Sequence, residues 1–375
     1  MNPAPDTALP LLGGLTPAQF MRRHWQKKPL LIRNAWAGPV PLTRGELFAL
    51  AARDDVESRL ITRSPWTLRQ GPLARRALPP LARAGWTLLV QGVDLHVPAA
   101  HALLRQFRFV PDARVDDVMV SWASEGGGVG AHIDSYDVFL LQVQGRRRWR
   151  VGPVRQPAFE PGLPVRILTQ FEPTEVWDLA PGDMLYLPPR WGHDGVALDG
   201  DCMTCSIGFQ TPTPTSTASA VLQRMLDGLE APDHEPHYRD PQQGATTTPA
   251  AIPPALQAFA EQAVVAALND REALALALGE SLTEPKPKVW FEGGAPLVAG
   301  QGVQLDARTR MMYDSARVFI NGEGFMAGGR DARLMRQLAD ARALGAADVG
   351  RLSAGARALL DDWCLAGWLH GIAQG

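Results

Sequence analysis

Two residue types that bind metals, a histidine and an aspartate, stand one apart in GVGAHIDSYDVF, the stretch from Gly128 to Phe139. A strand turns alternate side chains to opposite faces, so in an extended segment His132 and Asp134 point the same way. Such a pair supplies two ligands of a 2-His-1-carboxylate facial triad, whose open positions suit Fe(II) and O2 chemistry. The third ligand must come from elsewhere. The chain has eight histidines: His24, His96, His101, His132, His193, His234, His237 and His370. Only His193 lies in a second segment of matching character, PGDMLYLPPRWGHDGVAL, which reads as a strand, a Pro-rich corner, the histidine and another strand. In a double-stranded β-helix the first and last core strands lie side by side, so this distant histidine can reach the same ion. A lone strand histidine is ordinarily a core or surface residue, and H-x-D arises often by chance. The pair joined by a turn-borne histidine and Gly-rich corners is much less easily accidental.

RRRWRVG follows a Gln144-Gly145 turn. As a strand it places Arg147, Trp149 and Val151 on one face and Arg146, Arg148 and Arg150 on the other. The Trp/Val face packs inward and carries Arg147 with it. A buried guanidinium without a partner is costly, and a carboxylate held bidentately is its natural one. That carboxylate can belong to a 2-oxoacid co-substrate; a salt bridge to a core Asp or Glu, or the opposite strand phase, are the alternatives. Tyr136 continues the phase of His132 and Asp134, and is equally readable as a substrate contact or a core tyrosine. Cys202 and Cys205 form C-x-x-C in a strand with no second pair to complete a zinc site, so they read as core thiols.

These residues need elements to position them. The 375 residues exceed one ordinary domain. Residues 115 to 210 hold short apolar runs separated by Gly, Pro and Asp: DDVMVSWA, DVFLLQV, RRRWRVG, EVWDLAPGDMLYLP and CMTCSIGF each read as one strand, which together suggest a β-sandwich or barrel. Before them, Thr16 is an N-cap candidate for a short helix, and PLLIRN and GWTLLVQGVDLHV read as strands. After a Thr/Ser/Pro bridge, residues 216–283 turn Ala- and Leu-rich and helical, interrupted by a polar insert around 233–250, and EPKPK (284–288) reads as a linker. The remainder suits a winged-helix-like module. The fold class is therefore α+β, divided as 1–212, 213–284 and 285–375.

Composition excludes some functions. A formal net charge of −2 gives no global attraction to nucleic acid or acidic membranes. From Arg317 to Gly375 there are seven Arg, no Lys and six acidic residues, too balanced for a DNA-gripping winged helix, so protein contact is expected there instead. Three cysteines make no disulfide framework, and the N-terminal stretch lacks a basic run followed by an apolar core; a cytoplasmic protein is expected. No apolar run approaches the ~20 residues that cross a bilayer.

FMRRHWQKKPLLIRNAW, DDVMVSW, GGGVGAHIDSYDVFLLQVQGRRRWRVG, PGDMLYLPPRWGHDGVAL and SIGF together resemble the JmjC-type 2-oxoglutarate oxygenases, and most closely the bacterial ribosomal oxygenases that hydroxylate an arginine of a large-subunit ribosomal protein. The resemblance covers the first 210 residues with high specificity and the rest more weakly. It implies a cupin/JmjC jelly roll, Fe(II) held by His132, Asp134 and His193, and 2-oxoglutarate anchored through Arg147 with a further hydrogen bond from Ser206. It implies oxidative decarboxylation of the co-substrate with O2 and transfer of a hydroxyl to the β-carbon of the target arginine. It also implies a homodimer built on the Ala/Leu-rich helices. Histidine hydroxylation, lysine demethylation or a non-catalytic binding module are the rival functions. An arginine substrate would need an anionic or aromatic rim; Glu125, at the head of the Gly-rich corner and a departure from the family pattern, and Asp137, on the outer face by strand phase, are the acidic candidates.

Overall fold

The structure, a computed structural model, describes residues 4–229, 234–235 and 237–372. Three short helices, α1 (Pro17–Arg23), α2 (Arg44–Ala51) and α3 (Pro98–Arg105), accompany the first strands. Thr16 caps α1 as its sequence predicts, accepting from the Gln19 amide while the Gln19 side chain accepts from the Thr16 amide, a reciprocal capping box.

Twelve strands form the catalytic half: β1 (Leu30–Ile32), β2 (Ser58–Thr62), β3 (Thr67–Gln70), β4 (Trp86–Val90), β5 (Val115–Ala123), β6 (His132–Ile133), β7 (Asp137–Gln144), β8 (Arg147–Pro153), β9 (Glu175–Leu179), β10 (Met184–Leu187), β11 (Trp191–Ala197) and β12 (Cys202–Phe209). They pair into an eight-stranded sheet, β1-β10-β7-β12-β5-β4-β2-β3, and a four-stranded sheet, β6-β11-β8-β9. All of these pairings are antiparallel. The outer face of the large sheet packs on the helices through an aromatic cluster: Phe20 lies 4.9 Å from Tyr186, and Phe107 4.9 Å from Phe139. Between the sheets, Val138, Leu140, Leu185 and Leu187 meet Trp149, Val151 and Leu179. This is the expected jelly roll.

Two strand expectations are corrected. EVWDLAPGDMLYLP is two strands in different sheets, because the chain turns at Gly182 (φ +94°) and the Asp183 carboxylate accepts the Ala180 amide at 3.0 Å. Residues 132–139 are also not one strand. The chain leaves the small sheet after Ile133 and enters the large one at Asp137, so strand phase does not carry across.

The Ala/Leu-rich region forms α4 (Pro214–Asp227), α5 (Pro254–Asn269) and α6 (Arg271–Thr283). The last two read as one helix in sequence, but Asp270 separates them by capping the Glu272 and Ala273 amides at 3.0 Å. The described part of the polar insert carries no helix or strand; residues 233 and 236 of it lie outside the described residues. The C-terminal module contains β13 (Gly302–Leu305), β14 (Met311–Tyr313), β15 (Arg317–Ile320), β16 (Glu323–Met326), α7 (Gly329–Ala341), β17 (Ala343–Leu344), α8 (Ala346–Val349), α9 (Ala354–Leu365) and β18 (Leu369–Ile372). Its own apolar core includes Val303, Leu338, Leu360 and Trp363. α6 seats on it: a Cβ on Gly279 would lie 2.3 Å from the Phe319 ring. The expected linker is pinned to the jelly roll by Lys286, which donates to Asp116 at 2.8 Å.

Candidate metal centre and co-substrate pocket

The Gly-rich corner explains how a two-residue strand reaches the right place. The Gly126 amide donates to the Ala197 carbonyl and the Ala197 amide to the Gly127 carbonyl, both at 2.9 Å, so the corner lies along β11 and feeds β6 onto it. A Cβ on Gly128 would meet the Gly195 carbonyl oxygen at 2.3 Å, and one on Gly195 would meet the Trp149 ring at 2.6 Å. Only glycine permits this approach. In the resulting register His132 stands directly opposite His193. Asp134 follows β6, and its carbonyl accepts the Arg190 amide at 2.9 Å.

Asp134 Oδ2 lies 3.5 Å from His193 Nε2 and 4.0 Å from His132 Nε2. The three donor atoms fall within 4.8 Å of one another, the one such group found among the described residues. Each imidazole Nδ1 faces a backbone carbonyl, Gly130 O at 2.9 Å for His132 and Trp191 O at 3.0 Å for His193. That arrangement fixes the tautomer and leaves both Nε2 lone pairs directed at one point, as a metal site requires. Burial, with His193 adding to it, pushes His132 down to about 4, which keeps it neutral and able to coordinate. Burial opposes charge on Asp134 and His193 alike, but their mutual hydrogen bond and attraction outweigh it, lowering Asp134 and raising His193. Two imidazoles and a carboxylate fit a ferrous ion with open positions.

A cavity of about 680 Å³ opens from this cluster between the sheets. Arg147 lines it, 5% exposed, on the same face of β8 as Trp149 and Val151. Its Nε and Nη2 have no hydrogen-bond partner. The strand's two other arginines and Arg146 just before it face outward, each on its own aspartate: Arg146 on Asp199, Arg148 on Asp178 and Arg150 on Asp194. A core salt bridge for Arg147 is therefore absent among the described residues, and the opposite strand phase does not occur. The orphaned guanidinium fits the far carboxylate of a dicarboxylic co-substrate. Ser206 lines the same cavity from β12.

Other candidates divide. Tyr136 lines the cavity with its hydroxyl toward Asp134 and 38% of its surface exposed, although it sits in the crossover between sheets rather than on a strand. Glu125 is exposed and absent from the cavity wall, because the corner turns at Gly126 (φ +68°) and leaves it outside. Asp137 is fully buried, not outward: its carboxylate accepts from the Tyr186 hydroxyl at 2.6 Å and from Gln26 at 3.0 Å. Neither acid forms a rim. Cys202 and Cys205 are buried free thiols, and burial pushes Cys205 up to about 12. The sequence reading missed Arg59, Thr87, Ser121 and Thr204 in the wall, and Phe159 and Arg166, which join it from the segment between β8 and β9. For Ser121 and Thr204 the signal was present, a polar residue alternating with apolar ones in β5 and β12; for the segment between β8 and β9 there was none.

Comparison with known proteins agrees with this geometry. A JmjC domain model matches residues 102–217, and a ROXA-like winged-helix model matches 266–370. The chain is 36% identical over 278 residues to the ribosomal protein uL16 3-hydroxylase of Escherichia coli, covering 71% of each chain. It is 37% identical over 222 residues to a probable ribosomal oxygenase of Haemophilus influenzae, covering 57% of this chain and 52% of that one. The X-ray structure of Escherichia coli YcfD superposes with a TM-score of 0.81 at 30% identity, covering 96% of this chain and 98% of that one. The same protein in complex with cobalt and 2-oxoglutarate superposes with a TM-score of 0.76 at 29% identity, covering 95% of this chain and 98% of that one. The converged His-Asp-His donors, the jelly roll around them, the winged-helix module and a relative shared over most of its length place this chain in the JmjC family of ribosomal oxygenases.

Proposed function

We propose that the chain is an Fe(II)- and 2-oxoglutarate-dependent oxygenase that uses O2 to hydroxylate the β-carbon of an arginine in a large-subunit ribosomal protein. The observation that carries the chemistry is the unbonded guanidinium of Arg147, buried in the same cavity as the three metal-ligand donors. The relatives named as ribosomal protein hydroxylase and ribosomal oxygenase support the substrate class.

His132, Asp134 and His193 would hold the iron, and Arg147, helped by Ser206, would hold the distal carboxylate of 2-oxoglutarate. A ferrous ion bound there would supply O2 activation coupled to oxidative decarboxylation of the co-substrate to succinate and CO2. The protein's part is placement. Gly130 and Trp191 carbonyls orient the imidazoles, and Trp149 packs 5.8 Å from the His193 ring. Tyr136 and Phe159 present aromatic surface to an entering side chain, and Phe159 already carries the Arg166 guanidinium 4.2 Å from its ring centroid, an intramolecular instance of the stacking an arginine substrate would use.

The division 1–212, 213–284 and 285–375 is proposed with it, α6 being shared with the last unit. A homodimer through α4 and α5 is supported by their lack of any buried residue and by exposed Leu226 (61%) and Val264 (59%). The near-neutral winged-helix module suits protein contact rather than DNA. A cytoplasmic location is proposed from the ribosomal substrate and the three free, buried cysteines.

Mass spectrometry of ribosomal proteins from cells with and without the gene tests the proposal. A one-oxygen mass increase on a single arginine, lost in the deletion, is expected. The same increase on histidine would move the activity to the histidyl-hydroxylase reading. Equal 2-oxoglutarate turnover by wild type and His132→Ala would favour a non-catalytic binding module.

A further inference from the structure

A second cleft lies between the jelly roll and the C-terminal module and shares no lining residue with the oxygenase cavity. It has a volume of about 90 Å³, room for a small ion. One wall comes from α3 and the start of β5, the other from the linker, the β13–β14 connection and the end of α7. Six cationic side chains and three carboxylates line it.

The charges do not cancel. Arg108 pairs with Asp112, Lys286 with Asp116 and Arg308 with Asp306. Arg105, Arg310 and Arg342 have no carboxylate partner among the described residues. Each donates only to main-chain carbonyls: Arg105 to Ala341 at 3.2 Å, Arg310 to Leu282 at 3.2 Å, and Arg342 to Asp306 and Thr309 at 2.6 and 3.0 Å. Arg342 is 9% exposed, and its Nε has no partner. His101 Nδ1, in the same wall, is buried and unpartnered too. The remaining acid, Asp94, accepts the Val118 amide at 2.8 Å, and burial beside Asp117 pushes it up to about 6; ionised near neutrality, it offsets one of the three unpaired arginines and leaves the other two uncompensated. Burial lowers Arg310 against the pull of Asp116, Asp112 and Asp94, whereas burial together with Arg342 and Arg105 pushes His101 down to about 4. Uncompensated buried guanidinium is costly, and an oxyanion is what relieves it.

We propose that this interdomain cleft binds a phosphate group, bridging the jelly roll through Arg105 and the C-terminal module through Arg310 and Arg342. A compact dianion matches both the surplus of charge and the volume, and several donors converging from different elements suit tetrahedral oxygens better than a planar carboxylate. The group could arrive as inorganic phosphate or as the end of a nucleotide.

The test is calorimetric titration of the full-length protein at fixed ionic strength in chloride, with inorganic phosphate, ADP and succinate as separate titrants. Saturable binding of phosphate at one site per chain is expected, weakened about tenfold or more in Arg310→Gln and in Arg105→Gln, each of which removes a charge-assisted donor. Turnover of 2-oxoglutarate in both variants should match wild type and shows that they are folded. Binding of ADP without inorganic phosphate identifies a nucleotide's phosphate as the source and also supports the site. No saturable binding of either, binding of succinate as tight as that of phosphate, or undiminished phosphate binding in both variants would overturn the proposal. Arg105, only half-buried, decides the matter if Arg310→Gln does not fold.

Discussion

Along β12, Met203, Cys205, Ile207 and Phe209 face the aromatic core, while Thr204 and Ser206 face the cavity. β5 divides in the same way, Val118, Val120 and Trp122 against Met119 and Ser121, and β7 sends Phe139, Leu141 and Val143 one way and Val138 and Leu140 the other. The same strands thus build two unlike surfaces. The core face is closed: rings meet rings, and Tyr186 donates to Asp137, with the Trp86 indole nitrogen left unbonded among the rings. The cavity face leaves Thr87 Oγ1 and the Arg59 and Arg147 nitrogens without partners. Close packing stabilises the first. The second keeps polar atoms ready for a ligand, at some expense to stability.

Substitutions can break this contrast or sharpen it. The largest effect on chemistry is expected for His193→Ala: turnover should fall by far more than the ~10–100-fold that follows loss of an outer partner of a metal ligand. Retained turnover would remove the triad from the mechanism. The largest effect on stability is expected for Phe139→Ala, about 3–5 kcal/mol by denaturant titration, because the ring is fully buried among Phe20, Phe107, Tyr186 and Phe209. Below its unfolding transition this variant should keep the wild-type KM for 2-oxoglutarate. A changed KM would show that the two faces are coupled.

Arg147→Met should do the reverse. KM for 2-oxoglutarate is expected to rise by roughly 30-fold or more, the consequence of losing a buried charge-assisted pair worth about 2–5 kcal/mol. The ligand-free protein should be no less stable than wild type, since an unpaired interior charge has gone. A loss of stability of the size seen for core truncations would refute the orphan assignment. Ser206→Ala should raise the same KM only several-fold, about 1 kcal/mol for one neutral hydrogen bond. Smallest of all, Arg148→Ala on the exposed side of β8 should leave stability within about 0.5 kcal/mol, as for most solvent-facing ion pairs.

The sequence made the cavity face legible wherever a strand was regular. Arg147, Trp149 and Val151 fall on one side as period-two alternation requires, and His193 reaches His132 because first and last strands of a jelly roll adjoin. Alternation failed at Asp137, where the chain crosses between sheets and the count of residues no longer fixes a direction. It failed for EVWDLAPGDMLYLP because Pro181 and Gly182 interrupt a run that is apolar on both sides. Phe159 and Arg166, which line the cavity from between β8 and β9, lie in a segment with no periodic pattern, placed instead by tertiary bonds such as the Leu168 amide to the Ala131 carbonyl at 2.8 Å. The meeting of α3 with the C-terminal module rests on side chains reaching main-chain carbonyls at the end of α7, a contact that leaves no trace in hydrophobic spacing.

The glycine pair at 128 and 195 has a consequence for how the enzyme acquires its metal. Contact between bare main chains, rather than the ion, sets the distance between the imidazoles, so the ligand triangle is assembled as soon as the jelly roll closes. Iron then enters a finished socket and can be withdrawn from it. A chelator should leave an inactive protein with an unaltered melting profile save for the ion's own binding contribution, ready to be recharged without refolding.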